Sequence, residues 1–148
     1  MVVNDPGNLD ARSESLYGAW LAGVALASAG MALHHKLCHT LGGSFNLPHA
    51  ETHAIVLPHA VRYNRDAAGE AMARAARALG VPDAPGGIYD LEAKLGLRLA
   101  LKDLGMKEAD LDRAARLAAE NPYPNPAPLS YDGIRALLDA AFHGRRPI

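Results

Sequence analysis

Helix-forming segments follow one another along this chain, and β-strand patterns are almost absent. Stretches such as RDAAGEAMARAARALG (65–80) and KEADLDRAARLAAEN (107–121) are rich in alanine and repeat their apolar residues at the helical period. In the second stretch, one side of the helix would carry Leu111, Ala114, Ala115 and Ala118. The periodicity predicts an all-α bundle of about six or seven helices.

The expected helix ends follow from capping serines, glycines and prolines. Ser13 or Ser15 is expected to cap the first helix and Ser130 the last, while Gly42-Gly43 and Gly80 are expected to end helices and Pro58 to bend or restart one. Residues 81–87 (VPDAPGG) are expected to form a loop, and the proline-rich residues 121–130 a non-helical connector. Between them, a helix over 88–105 is predicted from Ile88, Leu91, Leu95, Leu99 and Leu101.

An uncharged stretch of alanine, glycine and larger apolar residues runs from Leu16 to Leu33. It is long enough to be tested as a membrane span, but its small residues make it only mildly apolar and neither flank carries a basic cluster. A buried helix that lets its neighbours pack closely is therefore favoured over a membrane helix.

Length and charge narrow the remaining possibilities. A chain of 148 residues is expected to form a single domain, and a net charge of −1 offers no basic face for nucleic acid or anionic lipid. Cys38 is the chain's one cysteine, and the first residues do not resemble a signal peptide, so a cytoplasmic location is expected. Cys38 itself is expected to be a small buried packing residue rather than a nucleophile.

Five of the seven histidines fall within HHKLCHTLGGSFNLPHAETH, residues 34–53. His35 and His39 are four residues apart and would share one helix face, and His49 and His53 repeat this spacing after the glycine pair. The pattern predicts two facing helices with a compact polar pocket between them, suited to a metal or a polar ligand. His34 would point about 100° away from His35 and is expected to be structural.

This segment resembles the iron-containing alcohol dehydrogenase family. His35, His39, Gly42 and Pro48-His49 match the family's His-x-x-x-His, Gly and Pro-His signature, and LPH followed by Asn64 also recurs there. Within that family, HHKLCHTLGG and LPHAETHA resemble the maleylacetate reductases. The similarity continues through GIYDLEAKLGLRLALKDLGM to the end of the chain.

The resemblance implies that the chain has the fold of the family's C-terminal helical domain and corresponds to only a part of that domain. Family members also have an N-terminal α/β domain that binds NADH or NADPH, and an upstream helix with an Asp and a His that bind metal. This chain has no Gly-x-Gly-x-x-Gly motif, so it is expected to be part of a longer enzyme and to bind no nucleotide by itself.

The resemblance also implies a reaction, the reduction of the carbon–carbon double bond of maleylacetate to give 3-oxoadipate in the breakdown of aromatic compounds. His35, His39 and His49 would be catalytic, with His39 near the nicotinamide cofactor. His53 would either bind the small dicarboxylate substrate or make a purely structural hydrogen bond. His35 and His49 occupy the metal-ligand positions, although bound Fe²⁺ or Zn²⁺ is not the favoured state.

Two other classes of function remain open. One is a metal-dependent alcohol dehydrogenase that acts on another small substrate, and the other is a non-catalytic helical module. Without the upstream helices, an apolar face is expected to be exposed, so the chain is predicted to self-associate or to form a homo-oligomer.

Overall fold

The computed structural model describes residues 2–120 and 123–148. These residues contain no β-strand, which confirms the predicted all-α fold. They divide into two compact units, Met1–Met31 and Ala32–Ile148. The α-helices are α1 (Leu9–Ser28), α2 (Leu33–Phe45), α3 (His49–Asn64), α4 (Gly69–Leu79), α5 (Ala84–Lys94), α6 (Leu111–Ala119) and α7 (Tyr131–His143), and 3₁₀ turns span Leu101–Leu104 and Glu108–Asp110.

The first unit consists mainly of α1. Asn8, not Ser13 or Ser15, caps this helix, because its side-chain oxygen accepts a hydrogen bond from the Ala11 N–H at 2.9 Å. No residue of α1 is buried, so the prediction of a buried helix is wrong: a unit with one helix has no second apolar surface to pack against it. Its exposed large side chains are Leu9, Leu16, Tyr17, Trp20, Leu21, Val24 and Leu26.

The membrane question applies to the same part of the chain. Within the described residues, no single helix is both long and apolar enough to cross a bilayer, whereas α1 and α2 considered as a pair meet the criteria of length and hydropathy.

The second unit has one hydrophobic core. In it, α2 packs against α3 and α6, α6 against α7, and α3 against α5 and α7. The apolar side of α6 is buried as predicted, and its partners in the core include apolar side chains of α2, α3 and α7. Core side chains include Leu33, Leu37, Leu41, Ile55, Val56, Leu111, Ala114, Ala115, Ala118, Ile134 and Leu138.

Two of the predicted helix ends are confirmed. Gly80 follows α4 in the left-handed conformation, and the Ser130 side chain caps α7 by accepting from the Gly133 N–H at 3.1 Å. One other is wrong and one is wrong in part. The second helix continues through Gly42-Gly43 and ends at Phe45, where the N–H of the cap residue Asn46 bonds the Gly42 carbonyl. The third helix does not restart at Pro58 but continues through it, because Pro58 is fully buried and this packing offsets its missing N–H.

Residues 81–105 also differ from expectation. The stretch predicted as a loop contains the start of α5, where the Asp83 side chain accepts from the Gly86 N–H at 3.0 Å. This helix stops at Lys94, because Gly96 adopts a left-handed φ of 74°, so the predicted helix over 88–105 is interrupted. In the predicted connector, residues 123–130 are not helical, while Asn121 and Pro122 lie outside the described residues.

Candidate functional site

Helices α2 and α3 bring the five clustered histidines together. The left-handed backbone of Asn46 (φ 55°) ends α2, and Pro48, whose φ of −64° suits the start of a helix, precedes α3. The short reversal places His34, His35 and His39 of α2 beside His49 and His53 of α3. The two-helix arrangement predicted from the spacing is therefore what the structure contains.

The ring of His53 lies at the centre of this histidine cluster (His34, His35, His39, His49 and His53). Its centroid is 4.3 Å from that of His49, 4.8 Å from that of His34 and 4.9 Å from that of His35. At the outer side, His39 lies 6.4 Å from His35 and 6.3 Å from His49 between ring centroids. The four predicted site residues thus form one continuous group of imidazoles.

The cluster forms an open face rather than the enclosed pocket that the sequence predicted. His39 and His49 are exposed, whereas His34, His35 and His53 are half-buried. Beneath them, Cys38 is 1% exposed, and burial raises the pKa of its thiol to about 12. A thiol in this state is a poor nucleophile, so the packing role expected of Cys38 is confirmed.

The environment of His53 keeps its imidazole neutral. The pKa of His53 is lowered to about 4, mainly by burial and also by positive charge on the neighbouring His34, His49, His35 and His39. Among the described residues, the His53 Nε2 atom is buried and has no hydrogen-bond partner. A neutral imidazole has one donor and one acceptor nitrogen, and the His53 ring, although not this nitrogen, lies partly open on the same face.

His34 also lies within the cluster, although its direction on α2 differs by about 100° from that of His35. Its Nε2–H donates to the His53 carbonyl at 2.9 Å, and its ring meets the His53 ring edge to face. Burial lowers the pKa of His34 as well. Neighbouring residues of one helix differ by about 100° in direction, but a second helix that lies between the two directions is within reach of both. In the sequence, the one sign that α3 lies within reach of His34 as well as His35 was that the two histidines are adjacent.

The histidines of this chain do not complete the metal site that the resemblance implies. A catalytic metal normally has three protein ligands, and the matching positions here supply His35 and His49. In the described part of the chain, the group of three side chains whose ligand atoms lie within 4.8 Å of one another is a different one, His34, His35 and His53. The Nε2 atom of His34 already donates to a carbonyl, so its Nδ1 atom is the one that could bind a metal.

A second polar network fixes the start of α2. Asn125 Oδ1 accepts from the Leu33 N–H at 3.3 Å, although Ala32, the N-cap residue, makes no capping bond of its own. Asn125 is in turn bonded to Asn64 at the end of α3. Asn64 was recognised as part of a motif, but Asn125 was missed, because its partners are distant in sequence.

Comparison with protein families finds one model over almost the whole chain. Residues 1–142 match the family described as "Fe-containing alcohol dehydrogenase family, C-terminal". A maleylacetate reductase of Burkholderia cepacia is 56% identical over 143 residues, which is 97% of this chain and 41% of that protein. One from Sphingobium indicum is 51% identical over 148 residues, 100% of this chain and 42% of that protein. The chain thus spans about two-fifths of the curated relatives it matches.

Solved structures give the same relationship. A putative alcohol dehydrogenase from Ralstonia eutropha superimposes with a TM-score of 0.96 at 60% identity, over 99% of this chain and 42% of that one. The maleylacetate reductase of a Rhizobium strain superimposes with a TM-score of 0.95 at 49% identity, over 99% of this chain and 41% of that one. A 1,3-propanediol oxidoreductase superimposes with a TM-score of 0.84 at 32% identity, over 92% of this chain and 39% of that one.

Proposed function

The chain belongs to the Fe-containing alcohol dehydrogenase family, and on that premise we propose that it is the histidine-bearing helical part of a maleylacetate reductase. The observation that carries this proposal is the histidine cluster, which joins the family signature to an additional imidazole at His53. Relatives named maleylacetate reductase are 50–56% identical to this chain over nearly its full length. The activity is that of a longer protein, of which residues 1–148 would form part of the helical domain.

The proposed reaction makes three chemical demands. NADH or NADPH, bound mainly by the rest of the protein, supplies a hydride that adds to the alkene carbon conjugated with the substrate ketone. The electron pair of the double bond moves toward the ketone oxygen, and the carbon next to the ketone then takes a proton. The site must therefore stabilise a developing oxyanion, deliver one proton and bind two carboxylates.

Imidazoles can meet all three demands, because they serve as hydrogen-bond donors, proton donors or cations near neutral pH. In this proposal His35 and His49 stabilise the oxyanion and deliver the proton, and His39, on the exposed side, lies nearest the nicotinamide. His53 donates a hydrogen bond from its neutral ring to a substrate carboxylate.

The second candidate is a metal-dependent alcohol dehydrogenase that acts on another small substrate. It is favoured by the 60% identity to a structure named as a putative alcohol dehydrogenase. In that enzyme His35 and His49 would bind Fe²⁺ or Zn²⁺ together with ligands from the rest of the protein, and the metal would polarise an alcohol oxygen. It stands second because relatives named maleylacetate reductase are 50–56% identical over nearly the full chain.

A cytoplasmic location also belongs to the proposal. Cys38 is a free, buried thiol and is the chain's one cysteine, which suits a reducing compartment.

A chimeric enzyme tests the proposal directly. The part of the Burkholderia cepacia reductase that precedes the matched region is joined to residues 1–148 of this chain, and the unmodified reductase serves as the positive control. We expect oxidation of NADH or NADPH that depends on maleylacetate. His35→Ala, His39→Ala and His49→Ala should each lower turnover by about 100-fold, as expected for lost acid–base or electrostatic groups.

The same chimera separates the two candidates. A folded chimera that binds NADH but reduces no maleylacetate would contradict the reductase proposal. Oxidation of small alcohols with NAD⁺, restored by added Fe²⁺ or Zn²⁺, would support the alcohol dehydrogenase instead.

A further inference from the structure

We infer that His34 is a positioning residue that holds His53 in the orientation needed to bind a substrate carboxylate. This inference rests on the proposed function, and it gives a role to a histidine that lies outside the family signature. His34 makes two contacts with the same residue, one to its backbone and one to its ring.

The backbone contact ties α2 to α3 at the centre of the cluster. The hydrogen bond runs from the His34 Nε2–H to the His53 carbonyl at 2.9 Å. Because a carbonyl can only accept, the proton of neutral His34 must be on Nε2, which fixes the tautomer of the ring. The bond therefore fixes the position of the His53 backbone relative to the helix that carries His35 and His39.

The carbonyl that accepts this bond lies in a weakened turn of α3. Pro58 has no N–H to donate to the Ala54 carbonyl four residues earlier, and its ring crowds that carbonyl. His53 is the neighbour of Ala54. The turn that carries the His53 side chain therefore has one hydrogen bond fewer than a regular helical turn. The donor from His34 supplies support from outside the helix.

The ring contact restricts the orientation of the His53 side chain. The His34 and His53 rings meet at 82° with centroids 4.8 Å apart, and the His35 ring meets the His53 ring at 75° on another side. The His49 ring, tilted by 50°, lies 4.3 Å away. Without His34, the His53 ring loses one of its three imidazole neighbours, so its orientation would be less restricted.

Two substitutions separate the two contacts. His34→Phe keeps an aromatic ring but removes the N–H donor, and His34→Gln keeps an N–H donor near the same place but removes the ring. His143→Phe is the matched control, because His143 is an exposed histidine on α7, outside the cluster.

The first measurement uses the 148-residue chain itself and needs no activity. Long-range proton–nitrogen NMR spectra of the imidazole rings report the tautomer and surroundings of each histidine. We expect His34→Phe to shift the His53 ring resonances and His34→Gln to shift them less, while His143→Phe leaves them unchanged. His53 resonances that are the same in His34→Phe as in the unmodified chain would overturn the inference.

The second measurement is steady-state kinetics in the chimera. We expect His34→Phe to lower kcat/KM for maleylacetate by about tenfold, the size of effect that one hydrogen bond and a lost alignment produce, with the KM for NADH unchanged. His34→Gln should recover most of the loss. A His34→Phe chimera with a lower Tm but unchanged kcat/KM would show a merely structural role and contradict the inference. An inactive unmodified chimera would count against the proposed function alone, since the spectra of the chain still decide the role of His34.

Discussion

Asn125 and Asn64 bond to each other through both side-chain amides. The Asn125 Nδ2–H donates to Asn64 Oδ1 at 2.7 Å, and the Asn64 Nδ2–H donates to Asn125 Oδ1 at 3.3 Å. The same two oxygens accept from the backbone N–H groups of Leu33 and Ala127. The pair thus joins the start of α2, the end of α3 and the proline-rich connector, and so holds both histidine-bearing helices.

The first prediction concerns this pair. Asn125→Ala should lower the free energy of unfolding of the chain by about 1–3 kcal/mol, because the half-buried Asn64 amide and the Leu33 N–H lose their partner. Urea denaturation followed by circular dichroism measures the change. Asn4→Ala, at an exposed asparagine, is the matched control and should leave the midpoint unchanged. An Asn125→Ala midpoint equal to that of the control would contradict the role given to the pair.

Local sequence signals were sufficient for the helical fold and for each histidine pair. His35 and His39, like His49 and His53, are four residues apart, so the helix period, a local property, places each pair on one helix face. The buried side of α6 and the Ser130 cap were predictable for the same reason. Each of these features involves residues within a few positions of one another.

The features that were missed depend on contacts between distant residues. The start of α2 is capped by Asn125, 92 positions away in sequence, and no local pattern indicates such a partner. Pro58 continues α3 because of the packing around it, which overrides the local tendency of proline to end a helix. His34 was predicted to be structural from its direction on one helix, and its hydrogen bond to the neighbouring helix could not be predicted from that direction.

The second prediction concerns Glu92, a carboxyl group on α5 that is 7% exposed. Burial raises its pKa to about 7 from 4.5, and among the described residues its Oε2 atom has no hydrogen-bond partner. The folded state therefore keeps a proton that the unfolded state loses above about pH 4.5. The resulting contribution to stability is present below pH 4.5 and is lost as the pH rises through about 7.

Glu92→Gln removes this titration, so the variant should have a higher Tm than the unmodified chain at pH 8. The difference should shrink as the pH is lowered toward 4.5, where the carboxyl is protonated in both states. Thermal unfolding across this pH range is the measurement, with Glu120→Gln, at an exposed glutamate, as the control. A Tm difference that does not change with pH would rule out Glu92 as its source.

The third prediction is that the isolated chain self-associates through α1. This helix has no buried residue, and its side chains Tyr17, Trp20 and Val24 are 58%, 60% and 45% exposed. An apolar helix is stable in water when another apolar surface covers it, and a second copy of the chain offers such a surface. Light scattering should therefore show species larger than a monomer.

Substitution within α1 tests which residues make the contact. Trp20→Glu with Val24→Glu should shift the chain toward the monomer, because charges at the contact would have to be buried. Ser13→Glu with Ser15→Glu adds the same charge to polar positions of the same helix and should leave the association intact. A monodisperse monomer of the unmodified chain at high concentration would refute the prediction.

The last prediction concerns metal. The chain supplies His35 and His49 at the family's ligand positions. A third imidazole, His53, lies beside both, with its ring packed against theirs. Two imidazoles bind Fe²⁺ or Zn²⁺ less tightly than the three or more ligands of an ordinary catalytic site. We therefore expect the 148-residue chain to retain no stoichiometric iron or zinc after dialysis against a chelator, as measured by elemental analysis.

The chimera extends this test to activity, since the rest of the protein would contribute any missing ligands. If the histidines act directly on the substrate, maleylacetate reduction should survive chelator dialysis with its kcat unchanged. His35→Ala should then abolish most turnover without altering the metal content, which separates an acid–base role from a ligand role. One retained equivalent of iron or zinc whose removal abolishes activity, and whose return restores it, would contradict the metal-free mechanism. It would make His35 and His49 ligands in a metal-dependent dehydrogenase.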